Sequence, residues 1–214
     1  MAGRLRRLLR TVPRGSVDLG DVATLAARAR RPGDEVLTPS AALARNLLAK
    51  RLEGADPQRC CVVGPGRLVS EATLPFECRM ASLTDVDREA GADLDWLIVG
   101  DALAAEDDPP AFLARLANHF ETSPELRMLA ILPGTALLPD DDQPCPRRWL
   151  FSRVSGETMA RTALEGRTLT VSTLGNVLAA SADLLGFATD RLWSEELVAN
   201  DPEYPMVVAI DTTA

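Results

Sequence analysis

The chain has 214 residues, 46% of them hydrophobic, which is enough for one domain with a real core. Acidic residues outnumber basic ones by 31 to 23, giving a formal net charge of −8. That balance excludes nucleic acid as the main partner, because phosphate binding needs a basic surface, and no run of ~18 apolar residues exists to form a transmembrane helix.

In chain order, the first segment is the basic one. In "MAGRLRRLLRTVPRG", Leu5, Leu8 and Leu9 alternate with Arg4, Arg6, Arg7 and Arg10. On a helix these give one narrow apolar stripe in a basic surround. Two readings are open. One is a helix on a membrane surface or an anionic partner. The other, which is favoured, is a short basic helix docked on the acidic body of its own chain or of a neighbour; membrane contact is set aside. No apolar h-region follows the arginines, so a signal peptide is not expected. Residues 1–33 are read as a basic N-terminal helical segment, and 34–214 as the main domain, with the turn "RRPGDE" between them.

The stretch "TPSAALARNLLAKRLEG" predicts a helix, with Thr38 or Ser40 as cap, Pro39 in the first turn and Gly54 at the end. "CCVVG" predicts a short buried strand and "FECRMASL" a second one. "LDWLIVGDAL" has a continuous apolar centre bounded by acids, as a central parallel strand does. "PPAFLARLANHF" predicts a helix, "LRMLAILPG" a buried strand and "TALLPDDDQPCP" a loop. "SGETMARTALEG" predicts a helix with Ser155 as its cap, "RTLTVSTLG" a strand, "NVLAASADLLG" a helix and "YPMVVAID" the last strand. Tyr204, in the turn "DPEYP", is read as a packing residue. Alternating strands and helices predict an α/β fold with a mostly parallel sheet. The cysteines Cys60, Cys61, Cys78 and Cys145 and the one histidine, His119, lack metal-ligand spacing, so no metal is expected and a reduced, cytoplasmic protein fits.

These elements resemble the class I S-adenosylmethionine-dependent methyltransferases. The tail "LGNVLAASADLLGFATDRLWSEELVANDPEYPMVVAI" is similar to that of a branch found near sugar and natural-product genes. "LDWLIVGDALAAEDDPPAFLARLANHF" with "LRMLAILPG" resembles the family's fourth strand, the helix after it and the strand ending in its Lys-Pro-Gly-Gly turn. The resemblance implies a Rossmann-like methyltransferase fold, mostly parallel with an antiparallel last strand.

The departures shape the functional expectation. In the family the first strand ends in an acid followed by a glycine-rich loop that lets the backbone approach the cofactor. Here the acidic position falls on Val62, the third glycine on Leu68, and Pro65 removes a donor between Gly64 and Gly66. Between Gly64 and Leu94 there are roughly 30 residues, whereas the full unit of two strands and three crossovers needs about 40. The sheet is therefore expected to be truncated in that interval. A remnant cofactor site would comprise Gly64, Gly66, Glu77 as the ribose acid and Asp101 at the carboxyl end of a strand. Asp85 and Asp87 would stand near an adenine. Arg147, Arg148 and Trp149 would form a substrate or partner edge beside the acidic loop Asp140–Asp142. No catalytic residue is assigned. His119 is read as structural.

The leading expectation is a methyltransferase-like protein that has lost much of its cofactor site. It would be a non-catalytic accessory or partner subunit in natural-product or sugar biosynthesis, binding a protein partner or a second copy of itself and no cofactor. The alternative is an active S-adenosylmethionine-dependent small-molecule methyltransferase. A further alternative is a cleft reused for other tailoring chemistry.

Overall fold

The computed structural model describes residues 37–82, 84–85, 93–137, 149–184, 187, 189 and 192–213. The basic segment 1–33, Asp87, Asp140–Asp142, Cys145, Arg147 and Arg148 lie outside them.

The elements in chain order are α1 (Pro39–Arg51), β1 (Cys60–Val63), β2 (Arg79–Ala81), β3 (Trp96–Val99), α2 (Pro109–Thr122), β4 (Arg127–Pro133), α3 (Arg153–Ala163), β5 (Thr168–Leu174), α4 (Val177–Leu184), α5 (Ser194–Val198) and β6 (Val207–Thr213). Each helix start has a local cause. Thr38 caps α1 through Ala41 N–H, and Pro39 follows in the first turn, where its missing N–H costs nothing. Asp108 caps α2 the same way, at 3.0 Å from Ala111 N. Asn176 precedes α4 and accepts from Leu178 and Ala179 N–H at 3.0 and 2.9 Å.

The six strands form one sheet in the order β2-β1-β3-β4-β6-β5. β2, β1, β3 and β4 run parallel, and β6 is antiparallel to both of its neighbours, β4 and β5. This is the expected fold class: α/β, Rossmann-like, mostly parallel, with an antiparallel last strand. Among the described residues the interval from Gly64 to Leu94 contributes one strand, β2. Residues 64–78, which join β1 to β2, include no regular helix.

Both faces of the central strands are covered, which explains their unbroken apolar sequence. Side chains alternate across the sheet. Cys61, Val63, Leu97, Val99, Met128 and Ala130 pack with α2 and α3 on one face. Cys60, Val62, Trp96, Ile98, Leu129 and Ile131 pack with α1 and α4 on the other.

Four local expectations need correction. Ser152, not Ser155, caps α3; Ser155 sits at the third helical position and completes a reciprocal capping box with Ser152. The strand in "FECRMASL" shrinks to Arg79–Ala81, the only part that pairs with β1. β6 continues to Thr213, because pairing with β5 extends that far. Tyr204 is half-exposed rather than packed.

Candidate functional site

In an open α/β sheet a ligand binds outside the carboxyl ends of the strands, where the strand order reverses. That point lies between β1 and β3. The chain leaves β1 to one side toward β2, and β3 continues on the other. Two glycines mark it. Gly64 follows β1 with φ of +62°, a conformation that favours glycine, and its N–H donates to Ala81 O at 2.9 Å. Gly100 follows β3, and a Cβ there would run into the Gly64 carbonyl and the Pro65 Cα.

Asp101 comes next and is 5% exposed. Its carboxylate accepts three backbone hydrogen bonds from the loop after β1. Oδ1 takes Leu68 N–H at 2.8 Å and Val69 N–H at 3.2 Å, and Oδ2 takes Arg67 N–H at 3.1 Å. The loop folds back on itself, with Gly66 N–H on Val69 O at 2.8 Å. A Cβ on Gly66 would lie 2.6 Å from Asp101 Oδ1, so the absence of a side chain there admits the carboxylate. The successive N–H groups that would face an anionic ligand in such a loop are here turned onto an acid of the same chain.

A second acid fixes the outer side of the loop. Asp183 of α4 accepts from Ser40 N at 3.0 Å and Ser40 Oγ at 2.8 Å, and pairs with Arg67 at 3.7 Å. The loop after β1, the start of α1 and the end of α4 are thus tied together. Sequence reading did not select Ser40, Arg67 and Asp183 for this role. The available signal was an acid four residues after Ala179, on the helix face where Ala179 and Ala182 are buried.

The other expected site residues are placed as follows. Glu77 is exposed and precedes β2, at the amino end of that strand, away from Gly64, Gly66 and Asp101. Asp85 follows the carboxyl end of β2 in a turn, where Ser82 Oγ donates to its Oδ2 at 2.5 Å and its own N–H returns to Ser82 Oγ at 3.2 Å. Trp149 reaches the carboxyl edge: its backbone N–H donates to Ala104 O at 3.0 Å and its Nε1 to Glu106 O at 2.9 Å, and the residue is 45% exposed. His119 lies in the last turn of α2, which runs back from the carboxyl edge toward the start of β4, so it stands away from the crevice. Cys60 is fully buried in β1, and burial, followed by the nearby Cys78, pushes its thiol up to about 12, so it stays protonated and is no nucleophile. Among the described residues no group of three or more His, Cys, Asp or Glu is arranged to hold a metal ion, and no helix is long and apolar enough to cross a membrane.

The fold and crevice define an α/β domain with a Rossmann-like, mostly parallel sheet whose switch point is occupied by its own loop and acid. No protein-family model and no curated protein matches the chain. Among solved structures it is similar to the plantazolicin methyltransferase BamL, solved with a triazolic desmethylPZN analog and SAH. The identity is 8% over 90% of this chain and 89% of that one, with a TM-score of 0.47. It is also similar to a mutant of the 16S rRNA (adenine(1408)-N(1))-methyltransferase from Catenulisporales acidiphilia, at 11% identity over 94% of each chain and a TM-score of 0.37.

Proposed function

We propose that this chain is a methyltransferase-like protein without methyl-transfer activity. In this reading it serves as an accessory or partner subunit in natural-product or sugar biosynthesis, as a homodimer or with a second protein. The observation that carries the reading is the Asp101 carboxylate accepting from the N–H groups of Arg67, Leu68 and Val69. Donors committed to an internal acid are not offered to a cofactor.

S-adenosylmethionine does not fit the residues present. Val62 stands where the resemblance places an acid, and Pro65 supplies no N–H to the loop. Glu77 lies at the wrong end of β2 to hold ribose hydroxyls at the carboxyl edge. Each charged hydrogen bond lost is worth about 1.5–3 kcal/mol, and several lost together lower affinity by orders of magnitude.

The second reading is an active small-molecule methyltransferase. Asp85, at the carboxyl end of β2, favours it as a replacement ribose acid. Isothermal titration of the full chain with S-adenosylmethionine separates the two. The expected result is no heat of binding at micromolar concentrations. A micromolar dissociation constant that weakens in Asp85→Ala would overturn the accessory reading and establish the catalytic one.

A further inference from the structure

β1 and β2 bring two cysteines side by side. Their parallel register pairs Cys61 with Arg79 and Val62 with Met80. One step back along the same register, Cys60 stands opposite Cys78. Side chains alternate along a strand, so the face shared by Val62 and Met80 is also the face of Cys60 and Cys78. The packing agrees. All four side chains pack in the apolar layer that includes Trp96 and Ile98, whereas Cys61 packs on the other face of the sheet. Adjacent strands lie about 4.8 Å apart, within the roughly 4.4–6.8 Å between Cα atoms that a disulfide spans. Both thiols are free.

The two differ in access. Cys60 is fully buried, and its Sγ–H donates to Asp56 O at 3.2 Å. Cys78 is half-buried and is the sulfur that a small oxidant reaches. Burial raises both thiols. For Cys60 the neighbouring Cys78, Asp95, Asp56 and Cys61 add to burial and bring it to about 12. Thiolate is therefore scarce, and Cys60 is inert toward dissolved reagents. Attack on an adjacent sulfur is intramolecular, and proximity offsets that scarcity.

The place of the pair gives it a consequence. Cys60 opens β1 and Cys78 immediately precedes β2, so a bond between them closes a ring around β1 and the loop that Asp101 holds. β2 is three residues long, and among the described residues it pairs with β1 alone. A strand held by so few backbone bonds opens locally at low cost.

We propose that Cys60 and Cys78 form a reversible disulfide in response to hydrogen peroxide, and that this bond locks β2 and the loop after β1 in place. In the first step the Cys78 sulfur attacks the peroxide and the O–O bond breaks. Cys78 becomes a sulfenic acid, and the other oxygen leaves as water. In the second step the Cys60 sulfur attacks that sulfur. The S–S bond forms, the S–OH bond breaks, and the hydroxyl leaves with the Cys60 proton as a second water. Each sulfur gives up one electron and each peroxide oxygen takes up one. A thiol reductant restores both cysteines by exchange.

Treating the full chain with hydrogen peroxide and mapping its peptides by mass spectrometry without reduction tests the bond. The expected product lacks two hydrogens and joins Cys60 to Cys78. Fragmentation of the linked peptides separates Cys60 from its neighbour Cys61. A link from Cys78 to Cys61 or Cys145, a link between two copies, or Cys78 carried on to sulfinic acid without any link would overturn the assignment. Amide hydrogen exchange reads the consequence. Exchange of residues 64–81 should slow about tenfold on oxidation and recover on reduction. In Cys78→Ser, a half-buried position that tolerates the change, peroxide should leave it unaltered. A bond that forms without slowing this exchange would overturn the lock.

Discussion

Asp101 concentrates the chemistry of the crevice into two oxygens. A buried carboxylate is tolerated because three backbone N–H groups point at it. Asp101→Asn keeps one acceptor oxygen but sets an amide N–H₂ against a backbone N–H. The expected cost is about 1.5–3 kcal/mol, the size of one hydrogen bond to a charged group, measurable as a lower urea midpoint. Gly66→Ala should destabilise by about 1–3 kcal/mol through overpacking, because its Cβ meets Asp101 Oδ1 at 2.6 Å. Combining the two should be less than additive, as both act on the same contact.

Asp211 behaves differently at the opposite edge of the sheet. It is buried on β6, with Arg51 Nε at 3.3 Å and Arg127 at 3.9 Å. Asp211 Oδ1 and Arg51 Nε each lack a hydrogen-bond partner among the described residues. Burial raises its carboxyl above the ordinary range, and the two arginines only partly oppose this. The folded state therefore holds this proton more tightly than the unfolded state. Its contribution to stability falls as pH rises from the ordinary carboxylate value through the raised one, and is level above that. Relative to Asp211→Asn, the wild type should gain stability as pH is lowered through that window. Denaturant titrations at several pH values would show a flat or opposite difference if the carboxylate were not raised.

At the scale of elements, Asn176 joins two helices with one side chain. Its oxygen caps α4 and its nitrogen binds the carbonyls of Glu196 in α5 and of Ala199 just after it. Asn176→Asp keeps the cap and even suits the helix dipole, but places a carboxylate against those carbonyls. We expect α5 to lose protection from hydrogen exchange while α4 keeps it, with a global loss of about 1–3 kcal/mol. Equal loss in both helices would show that they open as one unit. The cap of α1 was readable in "TPS" because a cap is a local arrangement of polar side chain and proline. The cap of α3 was misplaced by three residues, since "SRVS" offers two serines and both take part. The extent of β2 was not readable, because a three-residue edge strand has no period and exists only where β1 offers partners.

For the whole molecule, two sheet edges bear on association. β2 is only three residues long, whereas β5 runs seven residues with no charge and no proline. Among the described residues β5 pairs with β6 alone. A long uncharged edge of this kind is available for pairing with another chain, consistent with the proposed homodimer. Light scattering should give a dimer that Thr170→Lys shifts toward monomer, and a monomer at all concentrations would count against it.

The sequence by itself determined the class of fold. Unbroken apolar runs at β1, β3 and β4 demand cover on both faces, and α1 to α4 supply it. The short interval after Gly64 likewise limited how many strands fit there, because chain length bounds crossovers. What only the tertiary structure decided is how the crevice is filled. Asp101 meets Leu68 across 33 residues of chain, and Asp183 meets Ser40 across 143. Periodicity and capping patterns extend over a few turns and carry no information at such separations. The sequence places Gly64, Gly66 and Asp101 near one edge, and the packing of the sheet turns the acid onto the loop.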